Sequence, residues 1–216
     1  MKKQLTLEIP TSWEDISLKQ YLTLQNDLEA YKDDEEAQTA LTLHHLCGLE
    51  VEYVRKLSAE SYNLVKSKLN QFQSPEGIEL TTFVTIDGVE YGFEPNLSKM
   101  SYGAYADITN YDTIQIDKNW GKIMSILYRK VEKKQFGKYS IVPYDGEIDD
   151  EKWLNVNMAV HWGCLFFFVR LQMDCLKGIL NSLKKEELPH NIRQILERSG
   201  ELMQQSLSWP MANLTK

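Results

Sequence analysis

The sequence predicts a mainly α protein. It reads as a multi-helix bundle around a long apolar helix at about 157–183, with an inserted β-hairpin at about 81–93 and a minor second β-element at about 135–144. Three observations point there. Asn157 to Leu183 is the longest apolar stretch, and Trp162 to Val169 within it carries no charge. At helical spacing Trp162, Leu165, Phe166, Val169, Met173, Leu176, Leu180 and Leu183 share one stripe, which Phe168, Leu171, Cys175 and Ile179 widen past half the circumference, the pattern of a buried helix. Thr81 to Phe93 alternates on both sides of Asp87-Gly88, a favoured dipeptide for a two-residue type I′ turn. The first third breaks into short amphipathic segments joined by turn residues.

Taken in order, Gln4 to Ile9 alternates with Leu5, Leu7 and Ile9 on one face and reads as a short strand ended by Pro10. Ser17 and Gln20 form a capping box for a helix to about Leu28, with Leu18, Tyr21, Leu22, Gln25 and Leu28 inward. The acidic run Asp33 to Glu36 suits the positive end of a second helix, from about Glu35 to Cys47, which Gly48 terminates in the left-handed region. A short helix over Leu49 to Leu57 and another from Ser58 to about Phe72 follow. Their core candidates are Leu57, Tyr62, Val65, Leu69 and Phe72. After the hairpin, Ser101 caps a helix from Tyr102 to about Thr109, and a further helix covers about Asp117 to Lys130. Gln135 to Tyr144 is extended. Pro189 begins a last helix to about Leu207. Residues 1–207 thus form one helical domain with a hairpin insertion, and 208–216 form a C-terminal tail.

Composition narrows the function. With 43% hydrophobic and 25% charged residues the chain can bury a core. A net charge of -7 argues against a protein that wraps nucleic acid by neutralising phosphates, and no direct sequence-specific nucleic-acid binding is expected. Tyr128 to Lys138 is the one basic segment, with five basic side chains against one Glu. The central helix meets His161, Arg170, Asp174 and Lys177 before the roughly 18 apolar residues a membrane span requires. An N-terminus with two lysines and no apolar run after them is not a signal peptide. Three cysteines make no disulfide framework, which suits a reducing interior.

No pattern of residues announces a catalytic site. A G-x-S-x-G elbow and a glycine-rich phosphate loop are both missing from the sequence. Gly163 and Gly178 read as packing positions on the central helix. The densest ligand-type clusters are two His-x-x-Cys pairs, His44/Cys47 and His161/Cys164. If their helices met, they would supply a Cys₂His₂ metal site. A metal- or ligand-binding regulatory protein using those four residues is therefore the alternative function. The simpler reading makes Cys47 and Cys164 small core residues and His44 and His161 core-edge residues. No cofactor is expected. Contact candidates are Phe83, Asp87, Gly88 and Tyr91 in the hairpin, Arg129, Lys133 and Lys134 in the basic segment, and Trp209 in the tail.

The phrase IPTSWEDISLKQYLTL near the N-terminus is followed by FVTIDGVEYGFEPNLSKMSYGAYADITNY, WGKIMSILYRKV, GKYSIVPYDG and the aromatic helix. This order resembles small proteins encoded in the structural gene clusters of tailed bacteriophages, in particular those infecting Bacteroides-type hosts, including crAss-like phages. The resemblance covers Ile9 to about Leu183. It implies a non-enzymatic morphogenesis protein: a tail or connector component of the virion, or a tail-assembly chaperone. Its partners would be other phage structural proteins, in a homo-oligomer or a larger assembly, with no membrane involved. It would be found in the host cytoplasm during assembly or in the virion. The resemblance carries no catalytic residues.

Overall fold

The chain enters the fold through two consecutive capping boxes. Asp15 accepts from the amides of Thr11 and Ser12 at 2.7 and 3.0 Å, closing a 3-10 turn over Trp13–Asp15, and these bonds, the Thr11 amide foremost, hold its carboxyl below the ordinary range. Ser17 then starts helix α1 (Leu18–Ala30). Its amide donates to the Gln20 side chain at 2.9 Å while its hydroxyl accepts from the Gln20 amide, as the sequence predicts. The computed structural model describes residues 7–69 and 75–182. Of the expected strand over Gln4 to Ile9, the first part lies outside those residues, and Leu7 to Ile9 is not in a strand. The inner face of α1 runs through Leu24, fully enclosed, while Leu22 and Gln25 are only half-buried.

Helix α2 (Glu35–Cys47) has the predicted ends. Asp34 accepts from the Ala37 amide at 2.9 Å, and Gly48, at φ 67, turns its amide back to the His44 carbonyl. A side chain is disfavoured in that left-handed conformation, so glycine suits it. Helices α3 (Val51–Val54) and α4 (Ala59–Leu69) follow, with Val65 and Leu69 buried and Tyr62 and Leu57 packed on the core edge. Phe72 lies outside the described residues.

Strands β1 (Phe83–Ile86) and β2 (Val89–Phe93) form the predicted hairpin. Ile86 pairs with Val89, so Asp87 and Gly88 make a two-residue turn at φ 50 and 77. The chain then leaves the sheet through α5 (Tyr102–Ile108), capped by Ser101, and α6 (Trp120–Leu127). It returns as β3 (Tyr128–Gln135), antiparallel to β2, and β4 (Lys138–Ile141) completes the order β1-β2-β3-β4.

Here the structure departs from the sequence reading. The helix expected to reach Lys130 stops at Leu127, and the second β-element begins at Tyr128 rather than 135. The hairpin is therefore half of a four-stranded sheet and not an isolated excursion. The cause is tertiary. Phe93, Gly92 and Tyr91 pair with Tyr128, Arg129 and Lys130, and the fully buried Tyr128 hydroxyl donates to the Thr81 carbonyl at 2.6 Å. Such partners override local helix propensity. Among the described residues the fold is mixed, with seven α-helices and one antiparallel sheet.

Helix α7 (Met158–Ser182) starts beside α1. The Leu18 amide donates to the Val156 carbonyl at 3.0 Å and the Met158 amide to the Ile16 carbonyl at 2.7 Å. Its first half is core: Met158, Val160, Trp162, Cys164, Leu165, Phe166, Phe168 and Val169 are buried. Trp162 meets the edges of Trp13 and Tyr21, each at 5.5 Å between centroids. Beyond Val169 the expected stripe narrows: Met173 still packs against the core, but Leu171 and Cys175, which should widen it, are exposed, and the side chains from Leu176 on lie outside the described residues. Arg170 and Asp174, one turn apart and exposed, keep that flank of the helix at the surface. No helix among the described residues is long and apolar enough to cross a membrane. The expected last helix and the C-terminal tail, Trp209 included, lie outside the described residues.

Gly163 is a packing position as expected. Its bare Cα admits the backbone of Glu79 and Leu80 across α7, and the Arg170 guanidinium donates to the Ile78 carbonyl at 3.2 Å on the same strap. The side-chain surroundings of Gly178 are outside the described set.

Candidate interaction surface

An antiparallel sheet can bury one face and leave the other to solvent. The inner face carries Val84, Tyr91, Phe93 and Tyr128. Tyr91 and Tyr128 pack on Trp153 at 5.9 and 5.3 Å between centroids, and Phe93 packs on Phe167 at 5.2 Å. The outer face is also partly apolar. Gly92 sits at its centre, and a Cβ there would meet Tyr139, Ile141 and Val131 at 3.0, 3.1 and 3.2 Å. Those three side chains therefore close over a glycine. Tyr139 reaches across it to donate to the Phe93 carbonyl at 2.6 Å, and its ring meets the edge of Phe83 at 4.7 Å. The Lys134 ammonium stands 3.5 Å from the Phe83 ring centroid and 2.6 Å from Glu90. Beneath this layer Arg129 pairs with Glu94, both nearly enclosed.

Between this outer face and the β3–β4 turn is an open hollow of about 660 Å³, lined by Thr82, Phe83, Lys134, Gln135, Phe136, Gly137, Lys138 and Tyr139. Phe136 stands at its rim with 93% of its surface exposed. A second hollow, of about 530 Å³, opens among α2, α3 and α4 and is lined by Glu35, Glu36, Thr39, Val54, Arg55 and Tyr62.

The expected contact residues divide on this framework. Phe83, Lys133 and Lys134 belong to the outer face or its exposed tip, and Asp87 and Gly88 to the exposed first turn. Tyr91 is instead a half-buried residue of the core face, under the Lys152 ammonium, and Arg129 is engaged with Glu94. Phe136 and Lys138 fall inside the basic segment that the sequence marks for contact but are not singled out there, and Tyr139 lies just past it; the signal for all three is Phe136-Gly137 between two alternating runs.

The ligand-type clusters do not converge. Among the described residues no three His, Cys, Asp or Glu side chains are grouped so as to hold a metal ion. The His44 ring meets the Leu49 carbonyl at 3.0 Å, and His45 pairs with Asp27 at 2.7 Å, tying α2 to α1. Cys47 and Cys164 are buried, and desolvation pushes the Cys47 thiol up to about 11 and that of Cys164 higher, which favours the inert protonated form.

His161 is not the edge residue the sequence suggested. It is fully enclosed, with Nε2 donating to the Trp153 carbonyl at 3.2 Å and Nδ1 without a partner. Burial lowers its pKa to about 3. An unfolded histidine titrates near 6.5. Below that pH the unfolded chain therefore takes a proton that the folded chain refuses. The stabilisation is intact above about pH 6.5 and falls by roughly 1.4 kcal/mol per pH unit as the pH drops towards 3. His161→Gln keeps a donor and removes the titration. Denaturant unfolding of both proteins from pH 7 to 4.5 should show the wild type losing ground to the variant at about that slope; a pH-independent difference would mean that His161 titrates normally.

No family model matches this chain, and no curated protein or solved structure does.

Proposed function

We propose that the chain is a non-enzymatic bacteriophage morphogenesis protein that works through protein–protein contacts, either as a tail or connector component of the virion or as a tail-assembly chaperone. The observation that carries the contact reading is the β3–β4 tip. A bulky aromatic ring projects almost wholly into solvent from a sheet braced on its inner face by Trp153 and Phe167, and it is ringed by lysines. Aromatic residues on rigid supports are the usual anchors of interfaces. The phage setting rests on the resemblance of the segments between Ile9 and Leu183. In this reading the partners are other structural proteins of the particle, met in the host cytoplasm during assembly.

Mass spectrometry of purified particles, with affinity capture from infected cells, tests it. Stoichiometric presence in the particle supports the virion component. Absence from the particle, with capture of a tail protein, supports the chaperone. Absence from the particle with no tail or connector protein captured would sink both.

A further inference from the structure

The two hairpins use the same turn with different chemistry. In both, two central residues lie in the left-handed region: Asp87 and Gly88 at φ 50 and 77, Phe136 and Gly137 at φ 51 and 74. Type I′ turns favour Asn, Asp and Gly at both positions, and a bulky side chain at positive φ is an outlier. Asp87 obeys that preference and Phe136 breaks it. Nor is the cost offset among the described residues, because Phe136 is 93% exposed. A local rule broken without compensation among the described residues points to a use in binding.

We infer that the β3–β4 tip docks head-to-tail on a second copy of this chain, with Phe136 entering the hollow lined by Glu35, Glu36, Thr39, Val54, Arg55 and Tyr62. The inference rests on the contact reading above and names its partner. Charge complementarity selects the occupant. The tip is basic in a chain of net charge -7: Lys133 and Lys138 beside Phe136 are exposed and form no ion pair among the described residues, while Lys134 pairs with Glu90 at 2.6 Å. The receiving hollow has a net acidic character, because Arg55 neutralises Glu36 and leaves Glu35 over. Val54 and Tyr62 give it apolar walls, and the exposed run Asp33 to Glu36 lies at its edge. Glu36 is paired with Arg55 at 2.6 Å, whereas Glu35 forms no ion pair among the described residues. A tip-to-tip arrangement would set these lysines against their own copies. Donor and acceptor are different surfaces, so each copy keeps one of each after docking, and the contact propagates into a ring or a filament.

The test is the mass of the full chain in solution, followed by light scattering and sedimentation over a range of concentrations at low and high salt. Species heavier than the 25.1 kDa monomer are expected at low salt, returning to the monomer as salt screens the contact. Phe136→Asn should abolish association while raising Tm by about 2–4 °C, since it relieves the turn. That rise also shows the loss is not misfolding. Lys133→Glu/Lys138→Glu and Glu35→Lys, which break no ion pair among the described residues, should each be monomeric alone and should assemble when mixed, because each then supplies the surface the other needs. A wild type that is monomeric at every concentration overturns the inference, as does an oligomer indifferent to Phe136→Asn or a mixture that fails to assemble. None of these results bears on presence in the particle, which judges the broader function separately.

Discussion

Glu94→Ala is expected to destabilise the protein by about 3–5 kcal/mol, because it strands a charge. Glu94 and Arg129 face each other across β2 and β3 with side chains 9% and 13% exposed. The carboxylate also accepts from the Asn96 amide at 3.2 Å, which shapes the chain as it leaves the sheet. Removing Glu94 leaves a guanidinium whose Nε already lacks a partner and whose Nη2 loses its carboxylate acceptor. The cost comes from desolvation without compensation and not from the intrinsic strength of the pair. That distinction is measurable. Glu94→Leu/Arg129→Leu removes both charges and is expected to lie within about 1 kcal/mol of the wild type, since apolar replacements of buried pairs are commonly neutral or better. Urea unfolding of the three proteins decides it. If the single substitution cost no more than the double, the pair would be solvated and the outer face of the sheet open to water.

What could be read from the sequence follows the range of the interactions. The Ser17–Gln20 box, the Gly48 cap and the Asp87-Gly88 turn were legible because each is closed by residues within a few positions of one another. Strand β3 was not. Trp120 to Tyr128 has sound helical spacing, and only pairing with β2, more than thirty residues earlier, turns Tyr128 to Lys130 into a strand. The division of the contact candidates between the two faces of the sheet was hidden for the same reason. Tyr91 and Phe83 are near neighbours on adjoining strands, yet the register puts Tyr91 against Trp153 and Phe83 towards solvent. His161 looked peripheral because the carbonyl that receives it belongs to Trp153, in the turn before α7.

The same exchange, glycine to alanine, should have opposite signs at two helical positions, and geometry sets the sign. Within a helix the exchange is intrinsically favourable by about 1 kcal/mol. Gly103, exposed in α5, has only the Tyr144 ring near the new methyl, at 3.7 and 3.8 Å, so Gly103→Ala should stabilise by about 0.5–1 kcal/mol. At Gly163 the methyl would lie 2.4 Å from the Glu79 carbonyl oxygen and 3.1 Å from its carbon, both backbone atoms that cannot rotate away. The strap at Ile78 to Leu80 must lift, and the Arg170 contacts with Ile78 and Glu79 go with it. Gly163→Ala should therefore cost about 3 kcal/mol net, at the upper end for overpacking because several contacts are lost together. A double-mutant cycle identifies the mechanism. Arg170→Ala should cost clearly less in the Gly163→Ala background than in the wild type, since the strap it would release has already moved. Additive losses would mean that Arg170 and Gly163 act on different elements. A stabilising Gly163→Ala would show that the strap does not lie against α7 at all.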